Sequence, residues 1–417
     1  MSLPPTAVRG FKDILPEQAR LFRFIEETAR VVAERFNYQE LCPPILEKTE
    51  LFTRGIGEDT DIVEKEMYTI VEGSADSLSL RPEATAGMVR ALIENNLAQG
   101  GKIAKFFCLG PMFRRERPQK GRLRQFHQLD VEVFGTPGPY IDAEVIDFLH
   151  TFLTKLGLND LSVVLNSLGC PDCRPLFRKA LSAFLEQKRP ALCLDCQRRL
   201  ERNPLRILDC KNPSCCALTL QAPSLSSFRC LKCQEHFDGL QDSLKALNIN
   251  FVVDDKLVRG LDYYTRTAFE VQSGQLGAQN AAAGGGRYDG LCLKLGGPDI
   301  PAIGFASGLE RLAMLIEQSN QSFLLAPPSP DYYIALLVQE ALAPAMILVQ
   351  KLRALGQKIS CDWEVGSLKS RLRQADKAKA SKILILGPDE LAQGLATVRD
   401  LNTKEQVCIP INQPDLF

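Results

Sequence analysis

One stretch, Arg124-Gln-Phe-His-Gln-Leu-Asp-Val-Glu-Val-Phe-Gly135, constrains the fold more than any other. Side chains on a strand alternate between faces, so Leu129, Val131 and Val133 share one face and Gln128, Asp130 and Glu132 the other. The segment before it, Ile103 to Glu116, is also β-rich, and between them Arg117, Lys120, Arg122 and Arg124 occur with no acid from 117 to 124. A hairpin with a charged tip is the simplest reading. The polar row could merely face solvent, the usual outcome on a half-buried sheet. Beside Arg114 and Glu116 on the preceding strand, it reads instead as a pocket for a zwitterion next to a phosphate. Acids hold an ammonium, and arginines hold phosphate oxygens through their forked donors.

Around this hairpin the chain falls into recognisable pieces. Phe22, Ile25, Ala29, Val32 and Phe36 recur at three- and four-residue steps, which predicts a helix from Pro16 to Phe36. It leads into Tyr38 to Leu46, where Pro43 and Pro44 exclude a central strand and point to an edge or an interface. Residues from about 170 to 245 read as a cysteine-rich, mostly helical insertion. Strand signals return at Asn250–Val253 and Thr267–Val271, followed by Gly284-Gly285-Gly286. A polar stretch around 320–330 ending in Ala-Pro-Pro-Ser-Pro marks a linker. Beyond it, YYIALLV, KISCDW and KILILG are buried strands alternating with helical segments, an α/β pattern. The expected fold class is therefore α+β, with an antiparallel-sheet core over 1–325 and an α/β domain over 326–417.

At 417 residues, 45% apolar and 24% charged, the composition is that of an ordinary soluble globular protein of two or three domains. There is no apolar run long enough to span a membrane and no secretory signal pattern at the start, so a cytoplasmic location is expected. Lys+Arg and Asp+Glu both number 50, so a nucleic-acid partner must be recognised through a local patch. Such a patch exists: Lys369, Arg371, Arg373, Lys377, Lys379 and Lys382 have only Asp376 among them. On a helix this would be a basic stripe suited to phosphates, although in isolation a solvated surface helix explains it as well.

Fourteen cysteines without an export signal indicate reduced thiols. Cys170-x-x-Cys173, Cys193-x-x-Cys196 and Cys230-x-x-Cys233 cluster in the insertion, with Cys210, Cys215 and Cys216 between them. That suits a small metal-held module, but soft core packing by cysteine is the alternative, and the spacings match no single zinc pattern. Structural zinc stays open at this point, and no residue is assigned to a catalytic metal.

Two further segments carry candidate chemistry. Leu257-Val-Arg-Gly-Leu-Asp-Tyr-Tyr264 presents Arg259 beside two tyrosines, whose plain reading is core packing. Arg259 could also simply anchor its loop through Asp262. In Ile303-Gly-Phe-Ala-Ser-Gly-Leu-Glu-Arg311 small residues predict a closely packed helix ending in a charged pair, and the plain alternative is a buried helix with an exposed Glu–Arg pair. The chain has no Walker loop and no G-x-G-x-x-G after a strand, which disfavours P-loop and Rossmann nucleotide sites.

Together these pieces resemble the class II aminoacyl-tRNA synthetases, and within them the histidyl enzymes. Tyr38-x-x-Leu41-x-x-Pro44 after a long helix is similar to motif 1, the dimer-forming element. Phe113-Arg114-x-Glu116, a loop and Arg122-x-x-x-Phe126 resemble motif 2, and Gly304-Phe-Ala-x-Gly-x-Glu-Arg311 resembles motif 3. LVRGLDYYTRT (257–267) and AGGGRYDGL (283–291) resemble the two histidine-specific motifs.

The resemblance implies activation of L-histidine by ATP with Mg²⁺ and its transfer to the 3′ end of tRNA(His). By the same resemblance Arg114 and Arg259 are catalytic, facing each other across the α-phosphate. Glu116, Phe126 and Arg311 join Arg114 in holding ATP, with Phe126 and Arg311 on opposite faces of adenine. Glu83, Ala84, Thr85 and Gln128 hold histidine near its amino group, while Glu132, Tyr263, Tyr264 and Tyr288 line the side-chain pocket with Arg259 nearby. Asp130, where a small residue is expected, departs mildly from the pattern, as do Ala84 and Ala306. A homodimer through the first helix and its proline-ended strand is implied, and anticodon-stem binding by the basic tail. The rivals are a regulatory paralogue with eroded motifs and no tail, a class II ligase for another amino acid, which LVRGLDYY opposes, and a cysteine-rich nucleic-acid module, which explains only residues 170–233.

Overall fold

Leu21, Phe22, Ile25, Ala29, Val32 and Ala33 are all buried, so the first helix, α1 (Pro16–Arg35), turns one apolar stripe into the core. Its proline sits at the first helical position, where the missing N–H has no intrahelical partner to lose. The computed structural model describes residues 5–58, 60–72, 76–119, 121–159, 161–273, 281–319 and 328–416. It divides into two units, Met1–Leu325 and Ala326–Phe417. Residues 320–327 of the linker expected around 320–330, and Lys120 of the basic loop, lie outside the described residues.

In the first unit, α1 leads to β1 (Gln39–Glu40), β2 (Leu46–Lys48), α2 (Thr49–Ile56), β3 (Tyr68–Glu72), β4 (Asp76–Leu80) and α3 (Thr85–Glu94). The hairpin follows as β5 (Ala104–Phe113) and β6 (Gln125–Phe134), then α4 (Pro139–Lys155) and β7 (Ser162–Ser167). The insertion supplies α5 (Cys173–Glu186), α6 (Leu194–Arg202), α7 (Pro213–Thr219) and α8 (Leu231–Ala246). The chain then returns through β8 (Phe251–Val253), β9 (Thr265–Gln272), β10 (Ala281–Arg287), α9 (Leu291–Lys294), β11 (Ala302–Gly308) and α10 (Leu309–Gln318).

Eight strands form one sheet in the order β1-β5-β6-β11-β10-β9-β7-β8, and a small second sheet runs β2-β4-β3. β1 pairs parallel with β5 and lies at the edge, where the prolines that follow stop it after two residues. One face of the large sheet, with Leu129, Val131, Val133, Phe269, Ile303 and Phe305, is sealed by apolar residues of α1, α4, α8 and α10. Each large side chain so buried contributes on the order of 1.5–3 kcal/mol. The opposite face keeps the polar row of β6. The apolar stripe of α1 is thus consumed by the chain's own core and is not available to a second copy. Near the motif 1 segment, Val31, Ile45 and Leu46 stay exposed.

The segment expected to be one helix from Ile303 to Arg311 is instead strand β11 followed by the first turn of α10. Its small residues serve strand packing, not helix packing. A Cβ on Gly304 would lie 1.6 Å from the Glu132 carboxylate, and one on Gly285 would lie 2.1 Å from the Gly304 carbonyl. Glu310 is buried, not exposed, because it bonds back to β6.

Beneath the sheet Arg287 and Asp142 are both 0% exposed and form an ion pair at 2.7 Å. Arg287 also donates to Asp289 at 2.8 Å and to the carbonyls of Thr136 and Gly138. His236 Nε2 lies 2.8 Å from Asp142, and Thr267 donates to the same oxygen. One buried carboxylate thereby joins α4, α8, β9 and β10.

In the second unit β12 (Tyr332–Leu336), α11 (Leu342–Ala354), β13 (Ile359–Ser360), α12 (Leu368–Lys377), β14 (Lys382–Leu386), α13 (Pro388–Gln393), β15 (Leu395–Asp400) and β16 (Gln406–Pro410) build a five-stranded sheet of order β13-β12-β14-β15-β16. The first three strands are parallel and the last two pairings antiparallel. The basic stripe is narrower than the sequence indicates. Lys369, Arg373 and Lys377 recur every fourth residue and are exposed. Arg371 is buried against Asp362, Lys379 follows the helix, and Lys382 lies on β14 over the Tyr332 ring. Among the described residues no helix is long and apolar enough to cross a membrane.

The buried ion cluster generates a stability prediction. Arg287→Met leaves Asp142 charged and short of its main partner, which costs about 3–5 kcal/mol. Denaturant unfolding checks this, and a loss below about 1 kcal/mol would show the pair to be dispensable.

Candidate active site

The polar face of β6 forms one wall of a cavity of about 420 Å³. Phe126, Gln128, Asp130 and Glu132 project into it at alternate positions, as the strand period requires. Glu83 and Thr85 enter from the start of α3, and Arg259, Tyr263 and Tyr264 from the loop before β9. Tyr288 follows β10, and Glu310 and Arg311 open α10. Arg114 and Glu116 come from the end of the β5 side of the hairpin. Of the residues that the resemblance assigns to histidine or ATP, Ala84 alone does not line the cavity. It is fully buried in the core beside Met88, because the turn into α3 points its methyl inward.

The deep end is a desolvated polar pocket. Glu132 accepts from Thr85 Oγ1 at 2.6 Å and from the Tyr288 hydroxyl. Burial holds its carboxyl well above the usual range in spite of these two donors. Burial raises the Tyr263, Tyr264 and Tyr288 hydroxyls too, so all three stay protonated donors. Their rings pack together, with Tyr263 centroids 4.8 Å from Tyr264 and 5.5 Å from Tyr288. Glu83 accepts from the Thr85 and Ala86 N–H groups at 3.0 and 2.9 Å and so caps α3, while burial raises its carboxyl above the usual range against these donors.

In the middle of the wall are three buried acceptors without a partner among the described residues: Gln128 Oε1 and both oxygens of Asp130. Asp130 is pushed up to about 8, first by burial and then by Glu83, against the pull of Arg81 and Arg114. Unpartnered buried acceptors are costly, and a ligand bearing several N–H donors removes that cost.

The open end gathers guanidinium groups. Arg114 donates from Nε to the Pro82 carbonyl at 2.8 Å and lies 5.3 Å from the centroid of the Phe126 ring. Glu116 is gripped by Arg122 at 2.9 Å. Arg311 donates to the Ala281 carbonyl, and its guanidinium is held below its usual range by burial and then by Arg122. Arg259 pairs with Glu270 and sits over the Tyr264 ring. A Cβ on Gly284 would come within 2.5 Å of its guanidinium nitrogens, so the glycine run on β10 leaves the space in which this arginine lies. Asp262 does not anchor it: that carboxylate accepts from Asn203 at 2.7 Å. Crowded cations of this kind favour an anion with several oxygens.

Sequence reasoning missed Glu270 and the partner of Glu310. Glu270 is the lone acid of β9, between the apolar Phe269 and Val271, a signal that could have been read. Glu310 receives the His127 N–H at 2.9 Å and meets its Nδ1 at 3.0 Å, a pairing between distant segments that no local pattern reveals. Arg206 and Asp209, from the insertion, also reach the cavity.

The chain matches the family model described as histidyl-tRNA synthetase over residues 10–195 and 212–312, and the anticodon binding domain model over 331–413. It is 51% identical over 396 residues to the histidine–tRNA ligase of Maridesulfovibrio salexigens, covering 94% of this chain and 95% of that one. The histidine–tRNA ligase of Desulfatibacillum aliphaticivorans is 50% identical over 399 residues, covering 96% and 94%. Among solved structures, apo S. aureus histidyl-tRNA synthetase superposes with a TM-score of 0.83 at 32% identity, covering 99% of this chain and all of that one. Matches of this identity and length, on a chain whose motifs converge on one polar cavity, place it in the histidyl-tRNA synthetase family.

Proposed function

We propose that the cavity binds histidine with its side chain at Glu132 and its carboxylate toward Arg259, and binds ATP across Phe126, Arg114 and Arg311. The reaction is that of a histidine–tRNA ligase, the function this family membership carries. The observation that supports the orientation best is the row of unpartnered acceptors on Gln128 and Asp130. A substrate ammonium, with three N–H donors, matches it once Asp130 gives up the proton that burial holds there in the empty cavity, and Glu83 lies on the same side. Beyond it, Glu132 accepts an imidazole N–H while the tyrosine hydroxyls donate. A site of buried polar groups discriminates against a side chain that leaves them unpaired.

In the first step a histidine carboxylate oxygen attacks the α-phosphorus in line, and the bond to the β-phosphate breaks with loss of pyrophosphate. No general base is required, because the carboxylate is already ionised. Arg114 and Arg259 supply forked donors to the oxygens on which charge accumulates, and they are held beforehand by the Pro82 carbonyl and by Glu270. Phe126 and Arg311 take the two faces of adenine. Magnesium would enter with the ATP substrate and would supply charge neutralisation on its phosphates; the cavity carboxylates Glu116, Glu270 and Glu310 are paired with Arg122, Arg259 and His127. In the second step the 3′ hydroxyl of the terminal adenosine attacks the carbonyl carbon and AMP leaves.

The unit Ala326–Phe417 takes the anticodon arm, with Lys369, Arg373 and Lys377 on α12 against its phosphates. The enzyme works in the cytoplasm as a homodimer. The edge strand β1 and exposed Ile45 and Leu46 support the dimer contact, in place of the buried stripe of α1.

Three measurements check this reading. Exchange of pyrophosphate into ATP, run across the twenty amino acids, should respond strongly to histidine alone, and comparable exchange with proline or glycine overturns the substrate assignment. Arg259→Ala should slow single-turnover adenylate formation by about 10²–10³ with less effect on substrate binding, and lysine should rescue it poorly. A folded Arg259→Ala enzyme activating at the parental rate removes Arg259 from the mechanism. Asp130 yields a pH signature. Between the ordinary value of 3.8 and about 8, the folded chain holds a proton there that the unfolded chain has lost, so stability falls as pH rises across that window. Asp130→Asn stays neutral throughout, so its melting temperature should fall less than the parent's from about pH 5 to about pH 8; equal falls would show that Asp130 does not titrate in this way.

A further inference from the structure

The insertion brings eight of its cysteines into two groups of four, Cys170, Cys173, Cys230 and Cys233, and Cys193, Cys196, Cys210 and Cys215. Within each group the four sulfur atoms lie within 4.8 Å of one another. In the first, Cys170 and Cys173 are 3.5 Å apart, Cys170 and Cys230 4.0 Å, and Cys173 and Cys233 3.8 Å. In the second, Cys193 and Cys210 are 3.9 Å apart. Zinc–sulfur bonds of about 2.3 Å in a tetrahedron separate the sulfurs by about 3.8 Å. A disulfide requires about 2.0 Å, so neither group is a set of disulfides. Four thiols meeting at a point, twice, is also not what apolar packing produces. Cys216, which belongs to neither group, turns its sulfur to the Cys210 carbonyl and is exposed.

The surroundings suit thiolates. Cys193 and Cys230 are the N-caps of α6 and α8, and Cys196 and Cys233 sit in the first turns of the same helices. Backbone N–H groups point at sulfur: Cys230 at Cys173 (3.1 Å), Cys193 at Cys215 (3.2 Å) and Asn212 at Cys210 (3.4 Å). Donors of this kind, together with the helix ends, would support the charge of metal-bound sulfur.

We propose that the insertion binds two structural zinc ions, one on Cys170, Cys173, Cys230 and Cys233 and the other on Cys193, Cys196, Cys210 and Cys215. The sites are nested: the outer one ties Cys170 and Cys173 to Cys230 and Cys233, sixty positions further along the chain, and the inner one lies wholly between them. Nesting is why no contiguous zinc pattern is legible along the chain. Sulfurs this close surround one ion rather than a cluster, and four thiolates in a tetrahedron select zinc over hard cations. All four positions of each ion are filled by protein, so the ions are structural.

Their place in the fold gives them a consequence. Next to Cys170, the Gly169 carbonyl accepts the Arg266 N–H at 2.9 Å. Next to Cys173, Arg174 donates to the Tyr264 carbonyl at 2.8 Å. From the inner module Asn203 holds Asp262, and Arg206 donates to the Gly260 carbonyl at 3.0 Å. The two zinc sites therefore fix the helices that grip the loop from Arg259 to Arg266 along its length. Only this positioning role rests on the reading of the cavity; the ion count does not.

The test is elemental analysis of the whole enzyme, purified under reducing conditions without chelator. The expected content is two zinc ions per chain, falling by one in Cys193→Ser/Cys196→Ser and by one in Cys170→Ser/Cys173→Ser. Because either variant could misfold, the parent enzyme is also titrated with a thiol-specific mercurial, which should release both ions as the thiols react. Cobalt(II) exchanged into the parent should give the thiolate charge-transfer and ligand-field bands of tetrahedral sulfur ligation. Loss of zinc should raise the KM for histidine more than it lowers kcat, and the unchanged kinetics of a zinc-free enzyme would refute the positioning role. Parent enzyme without stoichiometric zinc after growth and reconstitution with zinc overturns the proposal, as does stoichiometric iron in its place. Retention of both ions by either double variant overturns the ligand assignment.

Discussion

The molecule is organised around a strand that is apolar on one side and acidic on the other while buried on both. Glu132 and Asp130 are 1% exposed, yet they share β6 with Leu129, Val131 and Val133, which are fully sealed in the core. Burying carboxyls is expensive unless donors meet them. Thr85 and Tyr288 meet Glu132, but nothing among the described residues meets Asp130. The wall is thus incomplete in a way that a cationic, donor-rich ligand corrects, and the rest of the cavity is arranged to admit one.

Space for that wall comes from neighbouring strands that give up their side chains. Gly304 makes room for the Glu132 carboxylate and Gly284 for the Arg259 guanidinium. Arg287, in the same glycine-rich segment, points the other way and holds Asp142 in the core. A single stretch of sequence therefore serves the cavity on one face of the sheet and the stability of the fold on the other. Alternation along β10 is what separates the two roles.

The insertion extends this arrangement. Its apolar side chains, among them Phe177, Leu181, Leu185, Leu200 and Ile207, are buried in its own helices' core, and it reaches the cavity with Arg206 and Asp209 and holds the loop that carries Arg259, Tyr263 and Tyr264. A module gripping a substrate loop must itself be rigid, and in a helical module this small coordinate ties add to what burial alone supplies.

What the sequence determined by itself is whatever follows from periodicity and local chemistry. The 3.6-residue stripe of α1, the two-residue alternation of β6, the proline-limited edge and the α/β pattern of the tail are all local properties. The polar row of β6 was local too, read from strand alternation, whereas Glu83, Thr85 and Tyr288 were named only through the family resemblance and Glu270, Arg206 and Asp209 not at all. Tertiary structure decided the rest, because those features depend on partners distant in the chain. The small-residue run from Ile303 looked helical until the carboxylate of Glu132 and the backbone of β10 were brought against it. Arg371 counted as a surface charge until Asp362 covered it, and the apolar face of α1 as an interface until the core claimed it. The cysteines show the difference most clearly: sixty residues separate the two halves of one group, and only folding brings their sulfurs within bonding distance of a common point.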